Sequence, residues 1–362
     1  MAIIMNQNIN PIAPNPPYGE SIDITNVRLG EIYRFGTGDM WPLTLGPNGV
    51  IYGAAGDNFA TKEINTWSPM NFWSIRGNFD CLQLDVVNNL PVNPDIYCRG
   101  DNVDRNNGVK PAGLIYCNGK LYLCVENMNY GDLISFNRQH NINGWIVTSD
   151  DLGVTWRMAT EQNHFTGRLA SCHFLNAGYD TENIIDGYIW AYFPCGLDTD
   201  DSWWCNGDGM LLGRISPERI TEKDSWEFYC GRNGKEVVFS KDVKDARSVF
   251  VYPHFCGENH VTYNRQIKKY ILGNYAFYNP SDGSPRPYHN PPQREYVTQL
   301  SLYESDSPWG PWHCFLRDDN WLSGGYQPVC PPCWMKKDSM VMVGSGNGED
   351  YCFITQKIEF DI

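Results

Sequence analysis

Asp39 and Asp57 stand beside Gly38 and Gly56, at the outer ends of two short apolar runs that flank Gly46-Pro47-Asn48-Gly49. Apolar runs around such a turn predict a β-hairpin. A hairpin brings its outer ends together, and the glycines let a ligand approach the backbone. Pairing Leu45 with Val50 sets Asp39 opposite Gly56, whereas a loop one residue longer sets the two aspartates opposite each other. In either register the carboxyls lie within several ångströms, roughly the 5 to 9.5 Å over which paired acids cleave glycosidic bonds. Asp beside Gly is also a common turn and capping residue. The pair gains chemical meaning only from the rest of the chain.

The 362 residues include 13 Trp, 21 Tyr, 34 Gly and 23 Pro, a mixture of flat side chains and turn formers that favours many short strands. No run has the roughly 18 to 20 apolar residues of a membrane span, so no membrane partner is expected. A net charge of −14 argues against nucleic acid, which needs a basic face, and is unfavourable for strongly anionic substrates. A neutral substrate fits best. Thirteen cysteines cannot all pair within the chain. The start, Met1-Ala2-Ile3-Ile4-Met5-Asn6, has no basic stretch and no apolar core of signal-peptide length. Reduced, mostly buried thiols in a cytoplasmic chain are the expectation, although a removed leader would leave the same start.

In chain order, residues 1–30 are rich in Asn and Pro and predict an extended N-terminal arm with one strand near Ser21 to Val27. The first hairpin follows, and then a polar, loop-like segment from Asn78 to Asn107. A second hairpin, Pro111–Cys117 and Lys120–Val125, turns at Asn118-Gly119, the strongest short hairpin signal. Ser149-x-Asp151-x-Gly153-x-Thr155-Trp156 matches in full the Asp-box turn of sialidase-type propellers, in which the Asp caps the turn backbone. Further strand patterns complete about five sets of three or four strands, near 31–75, 110–158, 165–231, 245–316 and 326–360. The expectation is an all-β, five-bladed β-propeller over residues 31–362, with the arm as a candidate to close the ring.

Taken together, these residues resemble a family of five-bladed propeller glycoside hydrolases, first described as a domain of unknown function, that includes endo-D-arabinanases acting on mycobacterial arabinan. The resemblance is carried by Asp39-x-Trp41-Pro42, Tyr52 and Gly56-Asp57, then Lys110-Pro111 and the Asp151 turn. It continues through Leu212-x-Arg214-Ile215, Trp226-Glu227-Phe228-Tyr229-x-Gly231, His260–Asn264 with Lys269–Leu272, and Ser307-Pro308-Trp309-Gly310-Pro311-Trp312. It implies that Asp39 and Asp57 are the catalytic pair of an inverting hydrolysis, with an oligo- or polysaccharide such as arabinan as substrate.

Around that pair, Trp41, Lys110, Glu126, His254 and Glu258 are candidate substrate-binding residues. Glu126 is placed at the end of an inner-type strand, and His254 and Glu258 at a strand end facing a loop. The chemistry calls for no cofactor and no catalytic metal; a structural calcium ion is compatible with it. Cys330-Pro331-Pro332-Cys333 lacks a second ligand pair and reads as structural. A non-catalytic carbohydrate-binding propeller is the second reading. A sialidase is disfavoured because Arg34, Arg76, Arg168 and Arg247 form no recognisable carboxylate-clamping cluster.

Overall fold

The computed structural model describes residues 13–58, 68–89, 108–129, 140–286, 296–346 and 351–362. It is a five-bladed β-propeller, with twenty-four strands among the described residues. The first strand, β1 (Thr25–Phe35), belongs to the last blade. Blade 1 runs β2 (Leu43–Leu45), β3 (Ile51–Asn58), β4 (Ser68–Asn78) and β5 (Cys81–Asn88) from the axis outward. Blade 2 runs β6 (Val109–Cys117), β7 (Lys120–Asn129) and β8 (His140–Ser149), with the short strands β9 (Arg157–Met158) and β10 (Phe165–Thr166) against β8. Blade 3 has β11 (His173–Phe174), β12 (Ile189–Cys195), β14 (Gly207–Ile215), β15 (Glu227–Asn233) and β16 (Glu236–Ser240), while β13 (Ser202–Trp203) crosses to pair with β8.

A further strand, β17 (Phe250–Cys256), pairs with β14, so residues 248–252 join blade 3 and not the fourth set expected from the sequence. Blade 4 is β18 (His260–Asn264), β19 (Lys269–Tyr278), β20 (Val297–Ser305) and β21 (His313–Asp318). Blade 5 is β22 (Tyr326–Val329), β23 (Ser339–Ser345) and β24 (Phe353–Asp361), completed on its outside by β1.

Local chemistry explains the elements. Asn118 and Gly119 both take positive φ, 52° and 74°, as a two-residue hairpin turn requires. Asp151 accepts from the Thr155 backbone N–H (2.9 Å) and hydroxyl (2.6 Å), which closes the turn after β8. β5 falls inside the segment read from sequence as a loop. Its residues alternate exposed and half-buried, the signature of an outer strand with too few apolar residues to register as one. Residues 90–107 of that segment lie outside the described ones.

Most of the core lies between blades. Trp41, Leu43, Trp73, Val343 and Phe353 fill the space between blades 1 and 5. Tyr52, Phe72, Leu123 and Trp145 fill that between blades 1 and 2. Ile146, Phe193, Leu211 and Trp226 pack between blades 2 and 3, Tyr192, Leu212, Leu272 and Trp312 between blades 3 and 4, and Leu302, Trp321, Met342 and Ile358 between blades 4 and 5. A propeller needs such wedges because each twisted sheet must bury both faces.

Before β1, the N-terminal segment runs beside blade 4. Glu20 bridges Cys314, the Ser21 N–H donates to Cys314 O (2.8 Å), and the Ser21 hydroxyl donates to Glu304 (2.9 Å). Lys269 closes this junction with ion pairs to Asp23, Glu304 (3.0 Å) and Asp306 (2.7 Å). Glu304 is buried, so losing the ammonium strands its charge. Lys269→Met should therefore destabilise the chain by about 2 to 3 kcal/mol, less than for a fully buried pair because the ammonium keeps some water. Urea unfolding measures this, and Glu304→Gln in the Lys269→Met background should restore part of the loss.

Candidate active site

The innermost strands of all five blades begin at the same end of the axis, and the polar residues of the site sit at or just before those beginnings. Asp39 precedes β2, Lys110 is the second residue of β6, His173 opens β11, Glu258 precedes β18, and Tyr326 and Gln327 open β22. The second strand of each blade returns to that end, which brings in Asp57 near the end of β3 and Glu126 late in β7.

The first hairpin forms with a register more elaborate than either one expected. Leu45 faces Ile51 and Leu43 faces Gly53, the longer-loop register, which continued unchanged would set Asp39 opposite Asp57. Asp39 instead bridges Gly56, exchanging backbone hydrogen bonds of 3.0 and 2.8 Å. The one-residue displacement coincides with positive φ at Met40 (55°), and Asp57 is also positive at 37°. Non-glycine residues rarely adopt this conformation. A Cβ at Gly56 would overlap Asp39 Oδ1 and lie 3.2 Å from Lys110 Cδ, so the absent side chain makes room for the carboxyl of Asp39.

The two aspartates occupy unlike environments. Asp39 is buried, and its Oδ2 accepts from the Tyr326 hydroxyl at 2.7 Å, while Oδ1 has no hydrogen-bond partner. Burial, followed by the charge of Asp57, pushes Asp39 up to about 7, against the opposing pull of Lys110 and Tyr326. Asp57 is partly exposed, with 16% of its side chain accessible, and pairs with the buried ammonium of Lys110. Burial raises the Tyr351 phenol, and the charges of both aspartates raise it further, which sets this half-buried ring beside the pair.

Behind Lys110 lies a second group of acids. Lys110 faces Glu126 across the β6–β7 ladder. Glu126 and Glu258 are both fully buried. Glu258 accepts from Asn141 (2.8 Å) and Ser171 (3.2 Å) on one oxygen and from Gln327 (2.6 Å) on the other. Burial pushes Glu126 up to about 7; burial and the neighbouring Glu126 hold Glu258 well above the carboxylate range. His173, with Nε2 2.6 Å from the Ser171 hydroxyl, is kept well below its usual value by burial and by His260.

Of the residues singled out in the sequence, Asp39, Asp57, Lys110, Glu126 and Glu258 thus converge at one end of the axis. Trp41 does not present a face there: it is fully buried against Trp73 and Phe353, its indole N–H donating to Gly38 O. His254 is exposed, on β17, and its Nδ1 lies 3.4 Å from Asp208. Tyr326, Tyr351, Gln327, Ser171 and His173 were not singled out. Except for Tyr351, which precedes β24, their one sequence signal is a polar or phenolic residue at or just before the start of a short innermost strand.

No protein-family model matches the chain, and no curated protein matches it by sequence. Among solved structures, the RS223 β-xylosidase is 11% identical, covering 91% of this chain and 94% of that one, with a TM-score of 0.50. The GH43_1 enzyme from Xanthomonas citri is also 11% identical, over 91% of this chain and 90% of that one, at a TM-score of 0.50. An endo-arabinase from Bacteroides thetaiotaomicron aligns at 11% identity over 91% and 95% of the two chains, with a TM-score of 0.49. At these identities the likeness is one of fold.

The Tyr326 hydroxyl favours the charged form of Asp39, so Tyr326→Phe should raise the titration midpoint of Asp39, from near 7 by up to about one unit. Carboxyl-carbon NMR of labelled protein would read this shift, and an unchanged midpoint would exclude the hydroxyl as a determinant.

Proposed function

We propose that the chain is an inverting glycoside hydrolase in which Asp39 is the general acid and Asp57 the general base. The observation that carries this reading is the contrast between two neighbouring aspartates, one buried and raised to about 7, the other partly exposed and ion-paired. Inversion requires one carboxylic acid to protonate the leaving oxygen and one carboxylate to activate water from the opposite side of the sugar. Asp39 holds its proton near neutral pH. Asp57, with access to solvent, can accept a proton from water, while Lys110 orients it. Tyr326 fixes the rotamer of Asp39.

The sequence resemblance to endo-D-arabinanase-like propellers favours a furanoside such as arabinan as substrate, and the net charge of −14 favours a neutral polysaccharide. Two carboxyl groups and a water suffice for this reaction, so the hydrolysis is assigned no cofactor. The twelve free cysteines among the described residues favour a reducing compartment, the cytoplasm.

The test is hydrolysis of a panel of arabinans, xylans and nitrophenyl furanosides and pyranosides. Asp39→Asn and Asp57→Asn should each lower kcat/KM by about 10² to 10⁴-fold, with circular dichroism unchanged. Wild-type activity should fall as pH rises through about 7, where Asp39 loses the proton it must donate. The first product observed by NMR should carry the inverted anomeric configuration. Amide variants as active as wild type would exclude this pair. Sugar binding without cleavage would leave a carbohydrate-binding propeller.

A further inference from the structure

We propose that Glu126, His173 and Glu258 form a binding site for one divalent first-row transition cation, such as zinc or manganese, that ties blades 2, 3 and 4 together at the axis. One donor atom from each of the three residues lies within 4.8 Å of the other two, and all three side chains are fully buried. They come from β7, β11 and the approach to β18, so one ion would link three sheets.

The second observation is the hydrogen bonding around the cluster. Asn141, Ser171 and Gln327 all donate to Glu258 and fix both of its oxygens. This is the outer-shell arrangement that orients a ligating carboxylate. Nothing comparable serves Glu126. Its only hydrogen-bonding neighbours among the described residues are Glu258, the other carboxyl of the cluster, and Ser171, whose hydroxyl already serves Glu258 and His173, and Nδ1 of His173 has no hydrogen-bond partner. The Oδ1 of Asn141 and Oε1 of Gln327 are also buried without partners. Buried polar atoms are nearly always satisfied. Here the surplus consists of acceptors and lone pairs, and a cation satisfies several of these at once.

The donor set selects the kind of ion. Calcium and magnesium favour all-oxygen sites, whereas an imidazole nitrogen with carboxylates suits zinc, manganese and their neighbours. Three ligands around one ion at bonds of about 2.1 Å stand no more than about 3.6 Å from one another. Closing from separations within 4.8 Å takes shifts of up to about 0.7 Å per side chain.

Neither Asp39 nor Asp57 is among the three ligands, and the test does not use hydrolysis. The full chain, stripped with chelator, is titrated calorimetrically with zinc, manganese and calcium chlorides, and metal content is measured after dialysis. The expected result is one equivalent of zinc or manganese bound more tightly than calcium, and a melting temperature higher by about 4 °C at a hundredfold excess over Kd. Glu126→Gln and Glu258→Gln, near-isosteric and checked by circular dichroism, should each weaken binding by at least about 100-fold, beyond the 10- to 100-fold typical of outer-shell partners. Asp39→Asn, impaired in hydrolysis on the reading above, should bind metal as wild type does. Absence of zinc and manganese binding, a preference for calcium, or unchanged binding in both glutamine variants would overturn the proposal.

Discussion

The ammonium of Lys110 is the charge about which the inner end of the propeller is arranged. It is buried, pairs with Asp57, opposes the raised pKa of Asp39, and faces Glu126 across the β6–β7 ladder. Burying three carboxylates around one ammonium would leave uncompensated negative charge in a medium that solvates it poorly. The groups settle this by proton uptake. Asp57, with partial access to water, takes the ion pair, while burial drives Asp39 and Glu126 upward, Asp39 with the added charge of Asp57, until each lies at about 7. A carboxyl group that holds a proton near neutral pH therefore follows from burial in a closed space, before any substrate is considered.

The propeller makes that closed space. Each blade begins at the axis and returns beside its own start, so the opening of one innermost strand and the end of the next strand meet at the same end. Lys110 with Glu126 shows this within one blade; Tyr326 with Asp39 shows it between blades 5 and 1. Side chains separated by hundreds of residues become neighbours because the ring closes. That closure uses β1 as the outer strand of blade 5 and the Lys269 junction beside it. Packing between blades, dominated by Trp, Phe and Leu, then fixes the radius at which the acids face one another.

Much of this was legible in the sequence, unevenly and for definite reasons. Asn118-Gly119 and the Asp151 turn announce themselves because turn chemistry is local. Asp39 and Asp57 stand out because glycines flank them on a hairpin. His173 and Tyr326 did not, since β11 has two residues and β22 four, too few to show a period. The exposed alternation of β5 concealed a strand, and the pairing of β17 with β14 depends on a contact that no local pattern encodes. The meeting of Glu126 with Glu258 belongs to the closed ring and to no segment of it.

The strained hairpin joins these points. If the Leu43–Gly53 register continued, Asp39 and Asp57 would stand opposite each other as equivalent members of a ladder, with equivalent surroundings. The displacement at Met40 places Asp39 over Gly56 and beneath Tyr326, while the left-handed conformation of Asp57 accompanies its pairing with Lys110 and partial exposure. Two identical side chains are thus given different surroundings by a one-residue slip and by two backbone conformations that cost energy. Gly56 permits the close approach, and a Cβ there would occupy the place of the Asp39 carboxyl. The asymmetry between the two carboxyl groups is built into the backbone of blade 1, and the other four blades hold it in place.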